Sequence, residues 1–264
     1  MDELESYFCG MEKACNNCGT RVSTAYCSNC GQKASVGKLN MHALLHEWWH
    51  GLTHIDSGVF LLIKELAIKP EKAYLGYFNG ARKTYFSPVV FFLVTFGLYI
   101  YLDQKVFDRE DYIHRAFNRV YYNEYGRRYH LQLKYIALTL LPFQALLSWL
   151  LFFRKRNLAE CVTFWLYCTG FVNVLWIVAT PVRLWLIDDK AMTDFVIDKL
   201  CIFIMLVHAW RVFGTSAINK LLVMVMIFLL SVINIYITFY FIIHSDIPAY
   251  YPSLPEAIRE VFMP

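Results

Sequence analysis

The chain has 264 residues, of which 58% are hydrophobic and only 17% are charged. Soluble domains carry roughly one quarter charged residues, so this composition favours a chain that resides in lipid. The net charge of +4 is small, and the basic residues are not clustered like a nucleic-acid footprint, so no nucleic-acid partner is expected.

Residues 1–40 form a polar head that carries two C-x-x-C pairs in the segment CNNCGTRVSTAYCSNCGQ. Two such pairs make a closed site for one metal ion, and Gly19 and Gly31 permit the tight turns that point backbone N–H groups at the sulfurs. The pattern predicts a zinc ribbon with one structural zinc per chain. A head this short buries little core, so the metal is expected to supply most of its folding free energy. The predicted ligands are Cys15, Cys18, Cys27 and Cys30.

Residues 41–84 have apolar residues at helical spacing and predict an amphipathic region that lies in the membrane interface. The segment LLHEWWHGLTHID begins this region and has an unusual polar side, made largely of histidine. Whether these histidines bind a metal or sense pH stays open, because imidazole does both near neutrality. The histidines are His42, His46, His50 and His54.

The same segment contains the pattern H-E-x-x-H, which is typical of zinc peptidases. In this alternative, His46 and His50 bind a second zinc, Glu47 is the general base and Asp56 is the third ligand. Glu65 and Glu71 would be ligands of another peptidase type. Thr53 stands where the longer pattern has glycine, and nothing nearby predicts a substrate cleft, so the balance is against an enzyme.

Residues 85–243 predict an all-α multipass bundle, because several apolar stretches approach the roughly 20 residues that cross a bilayer. About five transmembrane helices are expected, at 85–102, 131–153, 161–186, 196–213 and 221–243. A proline-rich tail, 244–264, follows.

Lysine and arginine placement predicts the orientation of these spans. Arg82 and Lys83, the run 154–156, and Arg211 with Lys220 all fall on one side of a five-span bundle. This side is expected to face the cytoplasm together with the N-terminus. The loop 103–130 mixes arginines with acids on the opposite side, so its orientation stays open.

The order of these segments resembles the bacterial domain-of-unknown-function 3667 family. The resemblance rests on CNNCG with YCSNCGQ, on LLHEWWHGLTHIDSG and on KELAIKPEKAYLGYFNGARKTYFSP. It implies an N-terminal zinc ribbon, several membrane spans and a place in the inner membrane, and it implies no activity. Leu62 stands where the family usually has threonine. The matching positions are Asp56, Gly58, Leu66, Pro70, Tyr77, Gly80, Arg82, Tyr85 and Pro88.

These features together predict a scaffold or interaction protein whose ribbon docks a cytosolic partner, by analogy with what small ribbons commonly do. The membrane-associated metallopeptidase is one alternative. A transporter or channel component is a second, disfavoured because no acidic residue lies at mid-depth in a predicted span. The oligomeric state, including a homo-oligomer, stays open.

Overall fold

The computed structural model describes residues 13–44, 58–107, 138, 140–185 and 190–244. A short antiparallel hairpin pairs β1 (Lys13–Ala14) with β2 (Arg21–Val22), with Lys13 opposite Val22. The rest of the described regular structure is helical. Its longer helices are α1 (Gly58–Ile68), α2 (Pro70–Phe78), α3 (Pro88–Phe107), α4 (Leu140–Phe152), α5 (Leu158–Trp185), α6 (Lys190–Phe213) and α7 (Ala217–His244).

Helices α1 and α2 form a hairpin because Pro70 interrupts an otherwise continuous helical sequence. Proline lacks a backbone N–H, so it cannot continue α1, but it is well suited to the first turn of α2. Helix α1 buries Leu62 and Leu66, and α2 buries Tyr74 and Tyr77 against α5 and α6.

The bundle is built around α5, which packs along α3 and also against α6. Gly170 allows the close approach of α3, since a Cβ at this position would lie 2.7 Å from the ring of Phe91. The core between these helices is aromatic, with Phe91, Phe164 and Tyr167 all buried. Leu39, at the end of the ribbon segment, is buried in the same core, so the head is attached to the bundle.

A helix occupies at least part of each of the five predicted spans, but the described residues do not support the expectation of five transmembrane helices. Within the described part of the chain, one helix is long and apolar enough, Leu158–Arg183, and 56% of its most apolar stretch is buried in the fold. Within the same described residues, three further apolar helical stretches of 10–17 residues lie in α3, α4 and α7. They are Pro88–Leu102, Leu140–Phe152 and Ala217–Leu230.

Several predicted features lie outside the described residues. These are the pattern H-E-x-x-H with its third ligand, most of the loop 103–130, and nearly all of the tail 244–264. The residues concerned in the first case are His46, Glu47, His50 and Asp56, and His54 lies in the same range.

Candidate metal centre

Two nearly identical turns hold the four cysteines of the ribbon. In the first turn, the N–H of Gly19 donates to the carbonyl of Cys15 at 2.9 Å. In the second turn, Gly31 donates to Cys27 at 2.8 Å. Both glycines adopt left-handed backbone angles, with φ of +75° and +68°. Residues with a Cβ avoid this region, so the glycine after each C-x-x-C is what closes the turn.

The sulfur atoms are brought together as a metal site requires. Sγ of Cys15 lies 3.6 Å from Sγ of Cys30, Sγ of Cys18 lies 3.5 Å from Sγ of Cys27, and all four lie within 4.8 Å of one another. A tetrahedral zinc with Zn–S bonds of about 2.3 Å requires sulfurs about 3.8 Å apart. The predicted cluster of four cysteines is therefore confirmed, and its geometry fits a tetrahedral metal ion.

Hydrogen bonds favour the thiolate form of the two cysteines in the first turn, which is the form that binds a metal. The Thr20 hydroxyl lies 3.3 Å from Sγ of Cys18, and its bond to the thiolate lowers the pKa of Cys18 to about 6. The backbone amides of Cys18 and Asn17 lower the pKa of Cys15 in the same way. In the second turn, desolvation raises the pKa of Cys30 to about 11. A bound cation would favour the thiolate form of all four sulfurs.

The ribbon's own buried cluster is very small, which agrees with a metal-dependent fold. It contains Cys15, Val22 and Cys27, with Cys30 and Ala34 partly buried against it. Three of these five residues are cysteines that face the metal site. Without the metal, this cluster would have too few apolar contacts to keep the hairpin folded.

Gln32, directly after the second turn, fastens the ribbon to the loop between α2 and α3. Its Nε2 donates to the carbonyl of Gly80 at 2.8 Å. Its Oε1 accepts from the backbone N–H groups of Arg82 and Lys83, each at 3.2 Å. The Gln32 side chain is buried, so it serves this loop rather than solvent.

The first turn contacts the same loop through its two spacer residues. Oδ1 of Asn17 accepts from both the backbone N–H and the hydroxyl of Thr84, each at 2.9 Å. Gly80 has a φ of +100°, and a Cβ there would lie 3.1 Å from Nδ2 of Asn16. Arg82 completes the contact by donating to the carbonyl of Gly37 at 3.1 Å. Both C-x-x-C turns are thus attached to the segment 80–84, which we call the clamped loop.

Part of the ribbon that makes none of these contacts with the clamped loop is exposed. Tyr26 is 60% exposed and forms an isolated β-bridge with Lys33. Arg21 and Ser28 are exposed as well. The ribbon therefore has one part attached to its own chain and one part accessible to other molecules.

The clamped loop continues into a polar cluster, in which the buried side chains of Glu65 and Tyr85 meet the exposed Lys72. Oε2 of Glu65 accepts from the Tyr85 hydroxyl at 2.6 Å, and its Oε1 forms an ion pair with Lys72. Burial and the neighbouring carboxylate raise the pKa of Tyr85. The ring of Tyr85 lies over Gly76, where a Cβ would be 2.7 Å away. Helix α1, helix α2 and the loop are joined here.

His208 of α6 compensates for the missing N–H of Pro70. In an uninterrupted helix, the carbonyl of Leu66 would accept from residue 70, but proline has no hydrogen to donate. The His208 ring forms a hydrogen bond with the Leu66 backbone, and its Nδ1 lies 2.9 Å from the hydroxyl of Tyr74. This role could not be predicted from the sequence, because the spacing around a lone histidine in an apolar stretch does not reveal its partner.

The downstream acids of the peptidase alternative have other partners. Glu65 is bound by Lys72 and Tyr85, and Glu71 lies 3.3 Å from Arg211. Among the described residues, the four cysteines are the one cluster of metal-binding side chains. His42 lies within the described residues but outside this cluster.

Comparison with known proteins confirms the resemblance predicted from the sequence. Residues 56–100 match the model of the family described as Protein of unknown function (DUF3667). The match covers α1, α2, the clamped loop and most of α3. The comparison with curated proteins found no match, and neither did the comparison with solved structures.

Proposed function

We propose that the protein is an integral membrane scaffold, in which a structural zinc ion in the four-cysteine site fixes the ribbon so that its exposed part docks a cytosolic partner. The observation that carries this proposal is that the ribbon has an attached part and an exposed part. Gln32 and Asn17 attach the ribbon to the clamped loop, while Tyr26, which makes none of these contacts, is exposed. A docking surface held rigidly at the membrane loses less entropy on binding than one on a flexible tether.

Zinc is the metal that this ligand set favours. Four thiolates in tetrahedral array suit zinc, and a closed site without an open position is structural rather than catalytic. Zinc per chain, measured on detergent-purified protein, should be one. A Cys18→Ser variant should lower that number, and a His46→Ala/His50→Ala variant should leave it at one. Two zincs that fall to one in the histidine variant would instead support the peptidase alternative.

The outer surface of the bundle supports residence in a membrane. Large apolar side chains face outwards on different helices, among them Val178 on α5, Phe203 on α6 and Phe228 on α7. Such a surface is typical of contact with lipid or with another protein, and seldom of contact with water.

The placement of basic residues supports a cytoplasmic ribbon. Lys155 donates to the Thr215 hydroxyl at 2.7 Å and Arg156 to the Val212 carbonyl at 3.3 Å, so the two basic turns of the bundle meet at one end. The ribbon lies at that end as well, because Asn157 donates to the carbonyl of Leu39. By the positive-inside rule this end faces the cytoplasm, in the orientation expected for an inner-membrane protein.

Docking can be tested by placing a photo-crosslinking amino acid at position 26 in cells, with position 38 as the matched control. Both native residues, Tyr26 and Lys38, are exposed. A defined protein adduct at position 26 that is absent at position 38, and that is lost in the Cys18→Ser background, would support docking through the folded ribbon. Equal adducts at both positions, or none at either, would contradict it.

A further inference from the structure

Helix α1 turns an apolar face outwards rather than inwards. Phe60 is 78% exposed, Ile68 is 63% exposed and Leu61 is 38% exposed. At 100° per residue, these three side chains fall within an arc of about 100°, with Lys64 between them. The opposite arc of α1 carries its buried residues, so the outward face is the side of the helix that the fold leaves uncovered.

The charges around this face are cationic. Lys64 and Lys69 are exposed. The two glutamates of the helical hairpin are already bound, Glu65 to Lys72 and Glu71 to Arg211. Between residues 58 and 86 the chain has five lysine or arginine residues and two acids, so the hairpin and the clamped loop together carry a positive charge that complements an anionic surface.

The position of α1 places this face near the headgroups of the membrane. Glu71, in the first turn of α2 directly after α1, pairs with Arg211 close to the C-terminal end of α6 at Phe213. That is the end of the bundle at which Arg156 reaches the carbonyl of Val212. Helix α1 therefore lies at the end of the bundle that carries these basic residues.

We propose that α1 lies on an anionic phospholipid bilayer, with Phe60, Leu61 and Ile68 in contact with acyl chains and with Lys64 and Lys69 at lipid phosphates; this rests on the proposed membrane residence. Lysines on such a helix extend along the apolar surface and keep their charge at the headgroups. An apolar face with lysines along it matches the boundary between acyl chains and phosphates, because the apolar side chains contact the acyl chains and the lysines contact the phosphates. A soluble anion would account for the lysines but not for the three apolar side chains.

The proposal can be tested with p-benzoylphenylalanine in place of Phe60 in the full-length protein, reconstituted in discs of phosphatidylethanolamine and phosphatidylglycerol. Phe228, 66% exposed on α7, is the control for membrane residence, and Tyr26, 60% exposed on the ribbon, is the control for a surface in water. Intact mass after illumination should show lipid adducts at positions 60 and 228 and none at position 26. A Lys64→Gln/Lys69→Gln background should lower the adduct at position 60 by roughly twofold to tenfold and leave position 228 unchanged.

The outcomes separate this inference from the proposed membrane residence. A lipid adduct at position 228 without one at position 60 would overturn the contact of α1 while membrane residence stands. No lipid adduct at either position would overturn both. An adduct that joins position 60 to a second copy of the chain, or to residues 45–57 of the same chain, would show that protein covers the face and would also overturn the inference.

Discussion

Replacing Gln32 with alanine should release the clamped loop from the ribbon while the metal site stays intact. Gln32 is 4% exposed and is not a metal ligand, yet its side chain makes three hydrogen bonds to the backbone of Gly80, Arg82 and Lys83. The N–H of Arg82 also donates to the carbonyl of Gly80, so these two groups keep a partner when the Gln32 side chain is removed. The ordinary net value of about 1 kcal/mol per hydrogen bond therefore applies, without the larger penalty of a buried unsatisfied group. The closed conformation of the loop should lose about 2 to 3 kcal/mol of stability relative to the open one, which makes opening roughly 30- to 150-fold more frequent.

Hydrogen exchange followed by mass spectrometry on residues 79–87 measures this opening directly, and trypsin cleavage after Arg82 and Lys83 gives a second readout. The zinc content of the Gln32→Ala variant should remain one per chain. Tyr26→Ala is the matched control, because Tyr26 lies in the exposed part of the same ribbon and should leave exchange in the loop unchanged. Cys18→Ser should accelerate exchange as Gln32→Ala does, since the turn that carries Asn17 would lose its metal.

Unchanged protection of the loop in Gln32→Ala, with zinc retained, would refute the reasoning. It would mean that the bundle alone holds the segment 80–84 and that the hydrogen bonds from the ribbon contribute no net stability. The ribbon would then be an appended head whose metal has no bearing on the loop.

Three further perturbations follow from the structure. Removing the metal with a chelator should make the four ribbon thiols reactive towards a thiol reagent but leave the helical circular dichroism nearly unchanged, because the ribbon cluster is separate from the bundle core; a large loss of helix would contradict this. His208→Ala should cost about 2 to 4 kcal/mol in urea unfolding, since the Tyr74 hydroxyl and the Leu66 carbonyl both lose a partner, whereas Tyr74→Phe should cost about 1 kcal/mol; equal costs would argue against the bond to Leu66. Gly80→Ala should destabilise the clamped loop by about 1 to 3 kcal/mol, because its φ is +100°, and trypsin sensitivity as low as that of the wild type would count against this.

The four-cysteine cluster could be predicted from the sequence because its information is local. Each C-x-x-C-G turn closes within five residues, and Gly19 and Gly31 adopt the left-handed angles that the pattern requires. Bringing two such turns together needs one short hairpin, which the segment between them can form. The choice of ligands therefore did not depend on the rest of the fold.

The clamped loop could not be predicted in this way. Gln32 is separated from Gly80 by 48 positions, and Asn17 from Thr84 by 67 positions. Uncharged polar residues have no periodicity that marks their partners, and asparagine in a C-x-x-C spacer is equally suited to solvent. Long-range contacts of this kind become visible only when both turns and the loop are placed together.

The transmembrane prediction shows the limit of apolar length as a signal. Apolar runs located the helices correctly, because a run of that length is helical both in a bilayer and in a buried core. They do not distinguish these two environments. In the part of the chain that the structure describes, one helix is long and apolar enough to span a bilayer, and its Trp165 and Tyr167 are fully buried. The outward side chains of each helix, rather than its total hydropathy, carry the information about lipid.

The segment 58–88 is where the ribbon, the α1–α2 hairpin and the loop before α3 meet, and single glycine, proline and tyrosine residues make the contacts between them. Gly80 leaves room for the side chain of Asn16 in the ribbon. Pro70 ends α1 so that the hairpin forms, and Tyr85 joins the loop to Glu65. None of these residues forms a catalytic arrangement with its neighbours; each one satisfies a contact between two elements. A pattern composed of such residues is typical of a fixed junction. We infer that this segment fixes the position of the ribbon relative to α1, whose outward face is proposed to meet the bilayer.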